Sequence, residues 1–151
     1  MASHAGSHQT ASSAETERLG AELAATLTPG DAVLIEGELG AGKTTLVRGA
    51  ARALGVTVPV TSPTFTIGQR YPAANGVTVA HLDLYRIADL DAEDPELLDD
   101  YLAPDTVAFV EWPGGAGGAI SERRLSELAT RIRRVRLSHA GGDNRIVEID
   151  G

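Results

Sequence analysis

The sequence predicts an α/β domain with a mostly parallel central sheet and antiparallel hairpin additions. Three observations predict it. The apolar, β-branched run AVLIE (32–36) leads directly into a glycine-rich loop, and the loop into the helical segment TTLVRGAARALG (44–55). Strands and helices alternate through the first half of the chain, which favours parallel pairing through crossover helices. Two later pairs of strand-like segments flank short turn-forming stretches, as antiparallel hairpins do.

Ser12 and Glu15 have capping-box spacing, and Leu19, Leu23 and Leu27 then recur at helical intervals until Pro29-Gly30 stops the run. This predicts a first helix packed by its leucine stripe. Gly55 ends the helix that follows the loop. Thr64 to Tyr71 and Val77 to Asp83 flank Pro72-Ala73-Ala74-Asn75-Gly76, a hairpin with Asn-Gly at its turn. Pro95 to Leu102 reads as a short acidic helix, and Thr106 to Glu111 as a strand delivering one carboxylate to its carboxyl end. Ser121 to Thr130 suggests an arginine-laden helix, its cationic side chains a solvated face. Arg134 to Ser138 and Arg145 to Ile149 bracket Gly-Gly-Asp-Asn as a terminal hairpin.

At 151 residues the chain is long enough for one core. We expect a single domain over 13–151, preceded by a disordered leader at 1–12, because MASHAGSHQTASS is small and polar. That segment lacks the basic and apolar regions of a secretory signal. No apolar run approaches the roughly 20 residues needed to span a bilayer, so the expectation is a cytoplasmic protein without a membrane partner. There is no cysteine, which excludes disulfides and thiolate metal sites. The net charge of -8 argues against a protein whose main task is gripping nucleic acid. Seven acids and no base lie between Asp89 and Asp100, and six arginines against one acid between Arg123 and Arg136.

The chemistry begins at Gly37-Glu38-Leu39-Gly40-Ala41-Gly42-Lys43-Thr44, which satisfies G-x-x-x-x-G-K-[ST] with a strand before it and a helix after it. This makes the fold class a P-loop NTPase-like three-layer sandwich. Glycines let successive backbone N–H groups turn toward phosphate oxygens, and the helix amino terminus adds its positive dipole end. Glu38, Leu39, Gly40, Ala41, Gly42, Lys43, Thr44 and Thr45 are thus candidate nucleotide-binding residues. Lys43 brings charge to the β and γ phosphates, and the Thr44 hydroxyl can ligate Mg²⁺. Lys43 is the only lysine in the chain, so no N/T-K-x-D guanine-reading segment exists, and ATP is the expected nucleotide.

Two strands end in acids, Asp83 and Glu111. If both flank the loop strand, both carboxylates face the crevice where ligands bind in open α/β sheets. One would hold the metal and the other orient the attacking water, and spacing does not assign which. His81 reads as a packing or hydrogen-bonding residue of its strand. Trp112, the only tryptophan, precedes Pro113 and glycines and reads as a partly exposed ring near the nucleotide or a partner surface.

GELGAGKTTLVRG, SPTFTIGQRY, HLDLYRI and VEWPGG, in this order and spacing, closely resemble the bacterial TsaE family. These are small P-loop ATPases required to make N6-threonylcarbamoyladenosine at adenosine 37 of tRNA. The resemblance runs from about Thr16 through Pro113 and is looser in the terminal strands. It implies that Glu111 is a Mg²⁺ ligand, that Lys43 and Asp83 serve hydrolysis, and that Asp83 positions water and touches the metal directly or through water. It implies a switch segment at Ser62, Thr64 and Thr66 whose hydroxyls sense the γ-phosphate. It further implies TsaB- and TsaD-type partners, with tRNA met only indirectly. The Gly114–Gly118 insert and the arginine-laden segment depart from the family pattern; a role for Arg131 and Arg134 in docking an acidic surface or tRNA is one expectation to test. Two other functions fit the residues: a small-molecule kinase, with the arginines as a lid, and a nucleotide-gated binding module that hardly hydrolyses ATP.

Overall fold

The computed structural model describes residues 5–37, 40–61, 68–83, 101–112 and 127–150, with the side chains of Asp83 and Trp112 outside that set. The elements, in chain order, are β1 (Gly6–Thr10), α1 (Ser13–Ala24), β2 (Asp31–Gly37), α2 (Lys43–Ala53), β3 (Gly68–Pro72), a 3₁₀ turn (Ala74–Gly76), β4 (Thr78–Asp83), β5 (Thr106–Trp112), β6 (Arg131–His139) and β7 (Arg145–Ile149). The sheet runs β1-β7-β6-β2-β5-β4-β3. Its four central strands, β6, β2, β5 and β4, are parallel. Antiparallel strands complete both sides, β3 beside β4 and the β7–β1 pair beside β6.

The alternation of side chains along each strand divides the core in two. Val33, Ile35, Val79, Phe109, Val135 and Leu137 face α1 and α2, meeting Leu19, Leu23, Leu46 and Ala50. Ala32, Leu34, Ala80, Leu82 and Val110 face the other way and pack with Leu102, Tyr101 and Leu128. The helices approach each other through glycine. A Cβ on Gly49 would lie 2.0 Å from the carbonyl oxygen of Glu17, and one on Gly20 would lie 2.2 Å from that of Leu46. No larger side chain fits either crossing point unless the helices separate.

Local signals are met where they were read. Ser12 caps α1 by accepting from the Glu15 N–H at 3.2 Å, and the Glu15 carboxylate accepts from the Ala11 N–H at 3.1 Å. Asn75 takes the left-handed conformation (φ 60°) at the β3–β4 turn. Most of the predicted acidic helix 95–102, most of the predicted helix 121–130, and the beginning of the hairpin at 64–67 lie outside the described residues.

Two expectations are corrected. The leader read as disordered over 1–12 contains β1, which pairs with β7 from Gly6↔Ile149 to Thr10↔Arg145. A small, polar segment shows no core-facing pattern, but the free edge of β7 supplies backbone hydrogen bonds that composition does not advertise. β6 begins at Arg131, three residues before the segment read as a strand, and pairs with the whole of β2 from Asp31↔Arg131 to Gly37↔Leu137. The second correction is that its arginines are not simply a solvated face. Arg133 is buried, donating to Thr26 Oγ1 at 2.9 Å and to the Asp150 carbonyl at 3.2 Å. Arg131 grips the buried Asp31 carboxylate with Nε at 3.2 Å and a terminal nitrogen at 2.6 Å.

Candidate nucleotide and metal site

β2 and α2 place the loop. β2 is buried through Ile35 and ends at Gly37, where a Cβ would lie 2.7 Å from the Leu137 carbonyl oxygen of β6. Gly40 and Gly42 have φ of 78° and 99°, backbone states that L side chains rarely adopt. Gly42 is the N-cap of α2 without a side-chain cap, so the first amides of the helix remain for an anion. Lys43 opens α2 and is only 6% exposed. Its Nζ donates to the Gly37 carbonyl at 2.7 Å, so the ammonium is folded back over the loop.

The parallel pairing of β2, β5 and β4 brings the acids to the same edge. Ile35 stands opposite Glu111, and Asp83 opposite Glu111. Glu111 is 5% exposed, and its two oxygens lie 3.4 and 3.5 Å from Thr44 Oγ1 at the start of α2. Oε2 also lies 2.6 Å from Nε2 of His81, which is fully buried on β4. Among the described residues the strand acid, the loop hydroxyl and the histidine form one connected group. The sequence reading left His81 out of the site. Its signal was the H-x-D spacing: residues two apart on a strand share a face, so a His two before one candidate acid sits beside that acid's neighbour as well.

On the other side of the loop a cleft of about 160 Å³ is lined by Ser12, Ser13, Thr16, Gly40, Gly42, Thr45, Asp143 and Arg145. The start of α1 and the β6–β7 turn thus join the loop, a grouping no single motif announces. Arg145 is tied to the turn by the Gly142 and Asn144 carbonyls, at 2.8 and 2.9 Å, and reaches the Gly40 carbonyl at 3.3 Å.

Of the expected site residues, Gly40, Ala41, Gly42, Lys43, Thr44, Thr45 and Glu111 meet at this loop. Asp83 takes the register position beside Glu111, and Trp112 ends β5 opposite Glu36. Glu38, Leu39, Ser62, Thr64 and Thr66 lie outside the described residues. The oxygen donors of Thr44 and Glu111 suit a small hard cation of the magnesium type, which prefers one or two protein oxygens alongside phosphate and water.

A strand–loop–helix of this form, on a parallel sheet with an acid at the end of the adjoining strand, defines an α/β protein of the P-loop NTPase class. The family model for the threonylcarbamoyl adenosine biosynthesis protein TsaE matches residues 10–143. The chain belongs to the TsaE family. Its relatives include the tRNA threonylcarbamoyladenosine biosynthesis protein TsaE of Streptomyces coelicolor, 42% identical over 126 residues that cover 83% of this chain and 80% of the relative. The protein of the same name from Mycobacterium tuberculosis strain H37Rv is 39% identical over 139 residues, covering 87% and 79%. In structure, the chain resembles the crystal structure of Bacillus subtilis YdiB with a TM-score of 0.71 and 31% identity, over 95% of this chain and 82% of that one.

Proposed function

We propose that this chain binds ATP with Mg²⁺ at the Gly37–Thr45 loop and hydrolyses it in support of threonylcarbamoyladenosine formation on tRNA. In this reading it works by docking to, and resetting, a TsaB–TsaD-type assembly. The observation that carries the proposal is the convergence of Thr44, at the head of α2, and Glu111, at the end of β5, within 3.5 Å across the loop.

The loop amides and the α2 amino terminus would receive the phosphates. Lys43 would exchange its Gly37 carbonyl for phosphate oxygens, trading a neutral acceptor for charged ones. Thr44 and Glu111 would hold Mg²⁺, which when bound neutralises charge on the β and γ phosphates. Asp83, beside Glu111 in register, is the candidate to orient water and take up its proton. The cleft beside Thr45 would take the nucleoside end of the ligand. No helix among the described residues is long and apolar enough to cross a membrane. A cytoplasmic place follows from tRNA as the ultimate substrate of the pathway.

Phosphate release from ATP by the purified protein, alone and with the partner pair, tests this function. Slow release that rises on adding partners and disappears in Asp83→Ala is the expected outcome. Phosphate recovered on a small metabolite instead would replace hydrolysis by a kinase function. Binding without release in any mixture would leave a nucleotide-gated module.

A further inference from the structure

His81 has no task in the function just described, yet it is fully buried and makes the shortest polar contact that Glu111 has, 2.6 Å from Nε2 to Oε2. We propose that His81 is a positioning residue for Glu111. Its Nε2–H occupies Oε2 and so holds the carboxylate with both oxygens within 3.5 Å of the loop hydroxyl and Oε1 left for the cation. The inference rests on the reading of Glu111 as the metal-holding acid.

Three observations carry it. An ionised carboxylate only accepts hydrogen bonds, so the hydrogen in this contact belongs to the imidazole and sits on Nε2. The other ring nitrogen, Nδ1, is buried and has no hydrogen-bond partner among the described residues. With a ring hydrogen engaged at Nε2, a second one on Nδ1 would be an orphaned buried donor, so the carboxylate contact and the lack of a partner for Nδ1 among the described residues together select the Nε2–H tautomer. Finally, the strand register fixes the pair. β4 and β5 are parallel, His81 stands opposite Phe109 and Asp83 opposite Glu111, so the imidazole reaches Glu111 from one pleat back along the sheet.

The need for such a residue follows from glutamate itself. Its side chain has three torsions, and the rotamers it loses on binding a cation reduce affinity. Lys43 precedes Thr44, whose hydroxyl is 3.4 Å from Glu111, and its ammonium would compete with a cation for a loose carboxylate. A histidine held rigidly on a central strand sets the rotamer beforehand, as hydrogen-bonded partners of metal ligands do elsewhere. It does so without placing a second negative charge beside Asp83.

The first test needs neither metal nor nucleotide. Two-bond ¹⁵N–¹H correlation spectra of the labelled protein, with the His81 signals assigned by their loss in His81→Gln, should show one protonated nitrogen, Nε2. A bare Nε2 with hydrogen on Nδ1, or rapid averaging of the two tautomers, overturns the proposal. The second test compares His81→Gln, whose amide nitrogen reaches about as far as Nε2, with His81→Asn, whose amide nitrogen stops near the place of Nδ1. The readout is the Mn²⁺ concentration that half-maximally tightens binding of a fluorescent ATP analogue. His81→Asn should raise it about 10- to 100-fold. His81→Gln should largely restore it, and binding of the analogue in EDTA should change less than about twofold in both. Equal loss in the two variants, or no loss in His81→Asn, overturns the positioning role. If Glu111→Gln leaves the Mn²⁺ response of the parent protein unchanged, Glu111 is not a ligand. The reading of the loop site then fails first and takes the positioning role with it, whatever the tautomer.

Discussion

Asp31 and Glu111 are both buried acids on central parallel strands, at opposite ends of the sheet. Asp31, at the amino end of β2, is closed on every side. Its carboxylate accepts from the Thr28 N–H at 2.8 Å and from two nitrogens of Arg131, in a two-pronged pair with β6. Glu111, at the carboxyl end of β5, has a histidine at 2.6 Å and a hydroxyl beyond 3.3 Å, with no guanidinium or ammonium paired to it among the described residues. The first acid is satisfied by the protein itself and joins two strands. The second is held in place but left able to accept from something the protein does not supply. Burial of an acid therefore does not mark function; what distinguishes the two is whether the fold provides the counter-charge.

The largest expected effect separates these roles. Glu111→Gln should lower ATP hydrolysis, with partners present, by at least about 100-fold, since a ligand matters no less than the groups that orient it. Its thermal midpoint should stay close to that of the parent protein. A large drop in melting temperature would make Glu111 a structural acid like Asp31 and break the comparison.

Arg131→Met should show the opposite pattern. Asp31 keeps its Thr28 contacts and loses its cation, so urea unfolding should report a loss of about 1–3 kcal/mol. Nucleotide affinity should stay within about twofold. Loss of partner-stimulated hydrolysis without loss of stability would instead return Arg131 to the docking role its charge suggested.

Ser12→Ala sharpens the contrast, because Ser12 belongs to both regions. It caps α1 and lines the cleft beside the loop. The lost cap should cost about 1 kcal/mol in urea unfolding. Nucleotide binding should weaken only by the small factor expected for one cleft hydroxyl. The smallest effect is expected for Arg136→Ala, which removes an exposed 3.3 Å pair with Glu36 on the same two strands that Asp31 and Arg131 join. That pair should be worth no more than about 1 kcal/mol in the same assay. A loss equal to that of Arg131→Met would show that burial of the acid is not what gives the Asp31 pair its strength.

The features legible in the sequence are those whose physical cause lies within a few consecutive residues. GELGAGKT needs only its own glycines, its lysine and the helix that follows, so the loop, Lys43 and Thr44 were readable at once. The Ser12–Glu15 cap and the Asn75-Gly76 turn are local in the same sense. The parallel order of β2 and β5, and the arrival of Glu111 at the loop, followed from two strands ending at acids together with the family's motif set.

Which distant side chains complete one another is a matter of tertiary packing. His81 meets Glu111 across 30 positions of sequence, and Arg131 meets Asp31 across 100. Read from the sequence, the arginine belonged to a solvated face and the histidine packed or hydrogen-bonded on its own strand. β1 had no apolar pattern to announce it, because an edge strand draws its stability from the ladder of β7 rather than from its own side chains. Periodicity and capping report the chain's relation to itself over one or two turns. Register reports which strands the sheet sets side by side, and that is a property of the whole core. A strand, a glycine-rich loop and a helix with Lys43 and Thr44 at its head were thus legible from neighbouring residues alone. The folded sheet determined which acid is spent on structure and which is held ready at the loop.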